Sequence, residues 1–570
     1  MSKNTEIADI FDRIADSLDI LEENPFKIRA YRNASRNLRE LTEDVKDIGE
    51  RDELSKIPGI GKDLAEKIRE YIENEKIKYS EELNEKVPRE LVDLLAIQGL
   101  GPKMLSKLFK DLKVKKLADL ERELDGEAIL KLHGMGKKKI EDIRRGIQIF
   151  KESKKRVNLG IALPIAEEIV NEINKIPGAE NTIFAGSLRR MRETIGDIDI
   201  LTQSNDGKRV IESFTKMPLV KNILVSGDTK GSVISHSGTQ VDLRVVGPGS
   251  YGAALQYFTG SQAHNVKVRT LAVKKGLKIN EYGLFRGNKK IAGETEVDVY
   301  HKLGLPFIPP EMREDRGEIE AALRGRLPTL LELRDIKGDL HVHSNWSDGK
   351  CSIEEMALMA KRLGYEYVAI TDHSPSARIA NGLSIERLNE KKEELDLVRK
   401  KVKGIRILMG SEVDILSDGS LDYPDSVLKD LDVVIAAVHS GFKMERAKMT
   451  KRIVNAIKNP FVHFVAHPTG RLIGERDPYD IDLEQVLKTA KEFGKAIEVN
   501  SHYLRLDLND MNLRKAIDMG VKLVISTDAH SADQLTLMRL GVATARRGWA
   551  MKRHIINTMG FNNLSKFLEI

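Results

Sequence analysis

From Asp339 onward, one apolar run after another ends in a histidine or a carboxylate: Asp339-Leu340-His341-Val342-His343, Tyr367 to His373, Ile405 to Glu412, Val433 to His439, Phe464 to His467 and Leu523 to His530. Continuous apolar strands alternating with helical stretches require a parallel sheet buried on both faces. Closed into a β/α barrel, such strands bring their C-terminal ends to one mouth. Of the 13 histidines, nine fall from His341 onward, and six of those stand where a run ends. One histidine at a strand end is ordinarily structural. His341, His343, His373, His439, His467 and His530, joined by Asp348, Glu412 and Asp528, instead describe a multinuclear metal site. Mixed imidazole and carboxylate ligation suits Mn²⁺, Zn²⁺ or Fe²⁺ better than Mg²⁺ alone. Such ions activate water and neutralise phosphodiesters, so the expected reaction is phosphoester hydrolysis. His463, His502 and His554 lack this setting and read as structural or surface residues; Arg471 and Arg505, in loops after candidate strands, are candidate phosphate contacts.

A second constraint lies upstream, in Ala185-Gly186-Ser187-Leu188-Arg189-Arg190 and Thr194-Ile195-Gly196-Asp197-Ile198-Asp199-Ile200-Leu201. Alternation along a strand points Asp197 and Asp199 one way and Ile198 and Ile200 into a core. Two adjacent carboxylates repel unless cations lie between them. A pair of divalent ions holding a polyphosphate resolves that conflict. Thr239 to Val246 supplies a third acid, Asp242, opposite the apolar face of Val241, Leu243 and Val245. The Gly186-Ser187 turn offers N–H groups and a hydroxyl to phosphate, and Arg190 a guanidinium fork. The expected context is a small antiparallel sheet backed by helices. D-x-D alone reads as a solvated strand face; with the G-S turn and a third acid it reads as nucleotidyl transfer.

Nearer the N-terminus a turn repeats. Gly59-Ile60-Gly61, Gly99-Leu100-Gly101 and Gly134-Met135-Gly136 each precede a helical segment and a nearby lysine. Glycine permits a tight turn, and a helix start aims free N–H groups at a ligand such as a backbone phosphate. A plain C-capped connection explains one such turn better than three.

At 570 residues the chain exceeds a single core. A net charge of +6 is mild, so nucleic-acid affinity must come from local basic patches. The single cysteine, Cys351, excludes an internal disulfide framework and fits a reducing cytoplasm. Met1 to Glu6 lacks the apolar core of a signal peptide, and no apolar run is long enough to span a bilayer. The expectation is a cytoplasmic monomer with no membrane partner.

These motifs carry resemblances. The acid constellation resembles the nucleotidyltransferase superfamily, and the glycine turns resemble the helix-hairpin-helix of DNA-repair proteins. The run Tyr257-Phe258-Thr259-Gly260-Ser261-Gln262-Ala263-His264-Asn265 through Arg269 is similar to the nucleotide pocket of the family-X DNA polymerases. That resemblance implies that Tyr257 and Phe258 wall the sugar, Gly260 turns beside it, Asn265 bonds the base edge and Arg269 reaches the template. His264 replaces the aromatic residue often found there. The pattern G-h-G-x-x-h-A-E-K further implies Lys67 as a deoxyribose-phosphate lyase nucleophile, although the residues read equally well as a surface helix lysine. The histidine-rich third resembles the polymerase and histidinol phosphatase (PHP) domain of bacterial and archaeal family-X enzymes, with all nine metal positions present and up to three ions implied. The acids would take Mg²⁺ or Mn²⁺.

The implied fold is multidomain α+β and α/β. It comprises a helical DNA-binding domain at 1–85, a fingers-like helical domain at 86–155, a palm at 156–250, a thumb-like domain at 251–316, a linker at 317–334 and a PHP barrel at 335–570. The implied activity is gap-filling DNA synthesis on gapped or primed DNA with dNTPs, accompanied by 3′–5′ exonuclease, 3′-end-processing or abasic-site incision. Alternatives from other classes are an RNA-acting nucleotidyltransferase and a DNA-binding scaffold with an inactive PHP domain.

Overall fold

A computed structural model describes residues 3–41, 44–97, 100–126, 128–153 and 156–570. The chain divides into two compact units, Met1–Arg156 with Val170–Gly186 and Gly196–Phe307, and Val157–Ile169 with Ser187–Ile195 and Ile308–Ile570.

In the first unit, the helices Lys3–Ile20, Pro25–Glu40 and Lys62–Asn74 are amphipathic and close around Ile7, Phe11, Ile14, Tyr31, Leu38 and Ile68. Asn24 caps the second of them, its side chain accepting from Phe26 N at 2.9 Å, with Pro25 in the first turn where no N–H is needed. A second core gathers Leu94, Leu105, Leu108, Leu120 and Ile143. The glycine turns share one construction. The middle residue, Ile60, Leu100 or Met135, is buried, while Gly61, Gly101 and Gly136 are exposed at the starts of Lys62–Asn74, Pro102–Leu112 and Lys137–Ser153. Among the described residues, a Cβ at any of these three glycines would meet nothing within 4 Å. Gly59 and Gly134 take φ values of +76° and +93°, which side-chain-bearing residues rarely adopt. Gly99 lies outside the described residues.

The same unit holds a five-stranded sheet in the order Glu180–Phe184, Ile198–Gln203, Gln240–Val246, Lys230–Ser235, Val220–Ser226. Alternation works as expected: Ile198, Ile200, Val241 and Leu243 are buried. The sheet is mixed rather than antiparallel, because Ile198–Gln203 and Gln240–Val246 run parallel. The helix Gly207–Thr215 and the hairpin Val220–Ser226/Lys230–Ser235 lie between them, long enough to carry the chain back to the same sheet end. Parallel register sets Asp199 directly opposite Asp242.

In the second unit, seven strands lie in sequence order: Gly338–Val342, Tyr367–Ile370, Arg406–Asp414, Val433–Ala437, Phe464–Val465, Ala496–Asn500 and Lys522–Ser526. Every pairing is parallel, and a bridge from Val342 to Ala529 nearly closes the barrel. Strand residues alternate between two cores. Val368, Ile370, Val434 and Ile525 pack toward the outer helices, and Leu340, Ala369, Ile435 and Val524 cluster with Ile556, Leu564 and Leu568. Burial on both faces explains why these strands read as continuous apolar runs. Among the described residues no helix is long and apolar enough to cross a membrane.

Candidate active sites

Asp197 stands just before Ile198–Gln203, and carboxylate oxygens of Asp197, Asp199 and Asp242 come within 4.8 Å of one another. Burial, then the charge of Asp242, raises the Asp197 carboxyl above its ordinary value. Three acids this close call for a cation. Ser232 Oγ donates to Asp242 Oδ1, as does Gln240 Nε2 at 3.2 Å, fixing the third carboxylate. Gly186 is demanded by space: it has φ +56°, and a Cβ there would fall 2.0 Å from Asp199 Oδ2. Ala185 N donates to Asp199 O at 2.7 Å, tying the turn to the acid strand.

The helices Tyr251–Thr259 and Gln262–Lys274 carry the next group of candidates. Tyr257 and Phe258 are half-buried and meet edge to face at 5.2 Å, with the Arg244 guanidinium 4.9 Å from the Phe258 ring centre. Gly260, at φ +67°, ends the first helix. Asn265 is held by its neighbours, donating to Tyr257 O at 2.7 Å and accepting from Gln256 at 2.8 Å. Arg269 is half-buried on the second helix. His264 is fully buried against the Tyr300 hydroxyl at 2.8 Å, so it packs in the core.

Ser187 and Arg190 fall in the second unit. Arg190 Nε lies 3.0 Å from Glu314 Oε1, a carboxylate also engaged by Arg192 at 3.3 Å and Arg547 at 3.0 Å. Burial pushes the Glu314 carboxyl up, but Arg190 and Arg547 outweigh it and hold it below its ordinary value. Glu314 thus meets the Nε edge of the guanidinium expected to face phosphate.

The barrel brings all nine of its candidates together. Glu412 is the hub: His467 Nε2 lies 2.8 Å away, His373 Nδ1 3.0 Å, His439 Nε2 3.2 Å and His341 Nε2 3.4 Å. Asp528 Oδ1 lies 3.2 Å from His343 Nε2, and Asp348 Oδ2 3.3 Å from His530 Nε2. The ligand atoms fall into three overlapping groups, His343-Asp348-His373-His530, His341-His343-Asp528 and His373-Glu412-His439. Among the described residues, His341 Nε2, both ring nitrogens of His343 and His373 Nδ1 are buried without a hydrogen-bond partner. Orphaned imidazole nitrogens converging on buried carboxylates fit metal ligation. Burial, then the charges of His530 and His373, pushes His343 down to about 4, favouring the neutral imidazole a metal needs. His467 and Asp528 take φ values of +29° and +54°. Hydrogen bonds from His467 N to Glu498 Oε2 (2.6 Å) and Asp528 N to His341 O (3.0 Å) hold that strained backbone.

Several supporting residues escape a search for runs ending in histidine. Glu498 accepts from His341 Nδ1 at 2.7 Å, and Asp414 from His439 Nδ1 at 2.6 Å, turning each Nε2 toward the cluster. Glu498 lies on Ala496–Asn500, a strand whose apolar run closes in Asn500 rather than in a histidine or a carboxylate. Lys391, fully buried, pairs with Asp372 at 2.9 Å, and Asp372 accepts from Ser344 and Ser347 beside the site. Arg471 gives its guanidinium to Glu193 and to the carbonyls of Arg505 and Leu506. Arg505 instead lines a cavity of about 530 Å³ over the cluster, together with Asp348, His373, Glu412 and His439.

Lys67, in the first unit, lies 2.5 Å from Asp63 and 5.4 Å from the Tyr79 ring centre.

Family models match at residues 2–77 (helix-hairpin-helix domain), 91–148 (SAM-like helix-hairpin-helix tandem), 254–314 (DNA polymerase beta thumb) and 339–502 (PHP domain). The DNA polymerase/3′-5′ exonuclease PolX of Bacillus subtilis (strain 168) is 39% identical over 571 residues, 99% of each chain. Over the barrel, a probable phosphatase of Thermoanaerobacter sp. (strain X514) is 36% identical across 34% of this chain and 78% of its own. One from Caldicellulosiruptor bescii is 35% identical across 31% and 73%.

Proposed function

The chain belongs to the family-X DNA polymerases that carry a C-terminal PHP domain, and from that premise we propose a DNA-directed DNA polymerase joined to a 3′–5′ exonuclease. The observation that carries the first half is the convergence of Asp197, Asp199 and Asp242 beside the Gly186 turn. Divalent ions held there, Mg²⁺ or Mn²⁺, would neutralise the triphosphate and ready the primer 3′-hydroxyl. That hydroxyl attacks the α-phosphorus, the α–β phosphoanhydride breaks and pyrophosphate leaves. Asp242 Oδ1 is occupied by Ser232 and Gln240, which leaves Oδ2 to take the hydroxyl proton. Tyr257 and Phe258 present half-buried rings to the sugar, where a 2′-hydroxyl would clash. Asn265 reads the base edge and Arg269 the template. Gly61, Gly101 and Gly136, with Gly59, Gly134 and Gly99, grip DNA backbone through helix-start N–H groups.

In the barrel, Mn²⁺, Zn²⁺ or Fe²⁺ held by the six histidines with Asp348, Glu412 and Asp528 would supply an activated water for phosphodiester hydrolysis. Arg505 orients the phosphate, and a nucleotide leaves from the 3′ end. The substrates are gapped or primed DNA and dNTPs. The setting is short-gap repair in the cytoplasm, with incision at abasic sites a second use of the barrel.

Extension of a primer across a short gap by dNTPs, with little from NTPs, and Mn²⁺-dependent shortening of the 3′ end without dNTPs are the expected results. Equal use of NTPs would favour the RNA-acting alternative, and failure of both reactions the scaffold. A lyase role for Lys67 requires Asp63 to release it. Borohydride trapping on an incised abasic site should then fail in Lys67→Ala; equal trapping would remove the role.

A further inference from the structure

The loop between His373 and Leu383, at the barrel mouth, is not used by the hydrolytic chemistry. Its ends are clamped, Leu383 N donating to His373 O at 2.8 Å. Its interior is equally fixed. Ser376 donates through N and Oγ to Asp422 at 2.6 and 2.5 Å, and Gly382 N donates to Ala377 O at 3.1 Å. Arg387 bonds Asn381 O at 2.9 Å and Trp346 O at 2.5 Å. Gly382 passes so close to Ser374 that a Cβ would fall 1.9 Å from its carbonyl oxygen. On this braced turn, at the rim of the cavity, Ile379 projects with 105% relative exposure. Beside it Arg378 is exposed, and its guanidinium makes no ion pair or hydrogen bond among the described residues. A mobile loop tip can withdraw an exposed isoleucine from solvent, but a braced one displays it permanently.

The cavity beneath is about 530 Å³, a size that suits one nucleotide unit, and Ile415 and Leu416 add apolar surface to its lining. A 3′-terminal nucleotide freed from its partner strand matches that space. The geometry points to Ile379 and Arg378 as a strand-separating lip: the isoleucine wedges against the terminal base pair of a DNA duplex while the arginine holds backbone phosphate. Apolar side chains pushed between base steps unstack them, and added backbone contacts offset that cost. Because His373 heads the loop, the wedge is at a fixed distance from the cluster, so the terminal nucleotide freed is the one that enters. This inference rests on the exonuclease reading above and assigns its substrate a step that reading does not require.

The test compares Mn²⁺-dependent release from a fully paired 3′ end with release from an unpaired 3′ overhang, using wild type, Ile379→Ala and Ile379→Leu. The paired-to-unpaired rate ratio should fall by roughly fivefold or more in Ile379→Ala, as expected for a wedge that unstacks a base step, and recover in Ile379→Leu. Arg378→Gln should raise KM on both ends and weaken the salt dependence of KM. A paired-to-unpaired ratio unchanged in Ile379→Ala would overturn the lip while leaving the exonuclease standing. Wild-type protein that shortens neither end would overturn both.

Discussion

Gly186 has no room for a side chain, because a Cβ would stand 2.0 Å from the Asp199 oxygen proposed to face a metal ion. Gly186→Ala should fold yet displace that carboxylate by the order of 1 Å, a shift that can cost about 10²-fold in rate. Primer extension should fall by that order while 3′-end degradation continues; equal loss of both would argue against a local effect. In the barrel the corresponding single residue is Glu498, which fixes the tautomer and direction of His341 from 2.7 Å. Outer partners of metal-ligating histidines are commonly worth about 10- to 100-fold in metal affinity. Glu498→Gln should therefore require that much more Mn²⁺ for half-maximal degradation, measured by titration with bound metal counted directly. Unaltered Mn²⁺ affinity would make Glu498 a packing residue.

Elements decide which of these side chains can meet. The six histidines at run ends were legible because a barrel strand buried on both faces leaves a continuous apolar string, and chemistry then collects where it stops. Glu498 was not, since it lies inside its strand and accepts from the far nitrogen of His341; Asp414 closes its strand, but two residues beyond Glu412, where the apolar run reads as ended. The three acids were legible from alternation, whereas the parallel pairing of their strands was hidden, because period two is the same in either direction. Nor does a sequence tell which carboxylate will steady an arginine: Arg190 reads as a phosphate fork, and Glu314 meets its Nε edge. In the N-terminal turns the buried Ile60, Leu100 and Met135 hold exposed glycines outward. Gly61→Asp and Gly101→Asp should fold, since neither added Cβ meets anything among the described residues, but place a carboxylate where phosphate is proposed to bind. DNA affinity should drop, and the slope of log K against log salt should flatten by about 0.9 for each phosphate no longer gripped. A slope that stays the same would show that these helix starts do not hold backbone.

At the scale of the molecule, two sheets of different design carry two kinds of site, a mixed five-stranded sheet for the acids and a seven-stranded parallel barrel for the histidines. Within the barrel's unit, Glu314 ties Arg190, Arg192 and Arg547 together. Its carboxyl is held below the ordinary value when folded, so its stabilisation is complete above the usual carboxylate range and is lost as pH falls through the folded value. Glu314→Gln should lower the thermal midpoint at neutral pH and flatten its decline on the acid side; parallel acid limbs for both proteins would contradict that sign. The central claim, that joining and cutting occur in separate pockets, is tested most directly by one labelled primer–template assayed with Asp242→Ala and His341→Ala. Asp242→Ala should lose dNTP-dependent extension and keep Mn²⁺-dependent shortening, and His341→Ala should do the reverse. Loss of both activities from either single change would contradict the account.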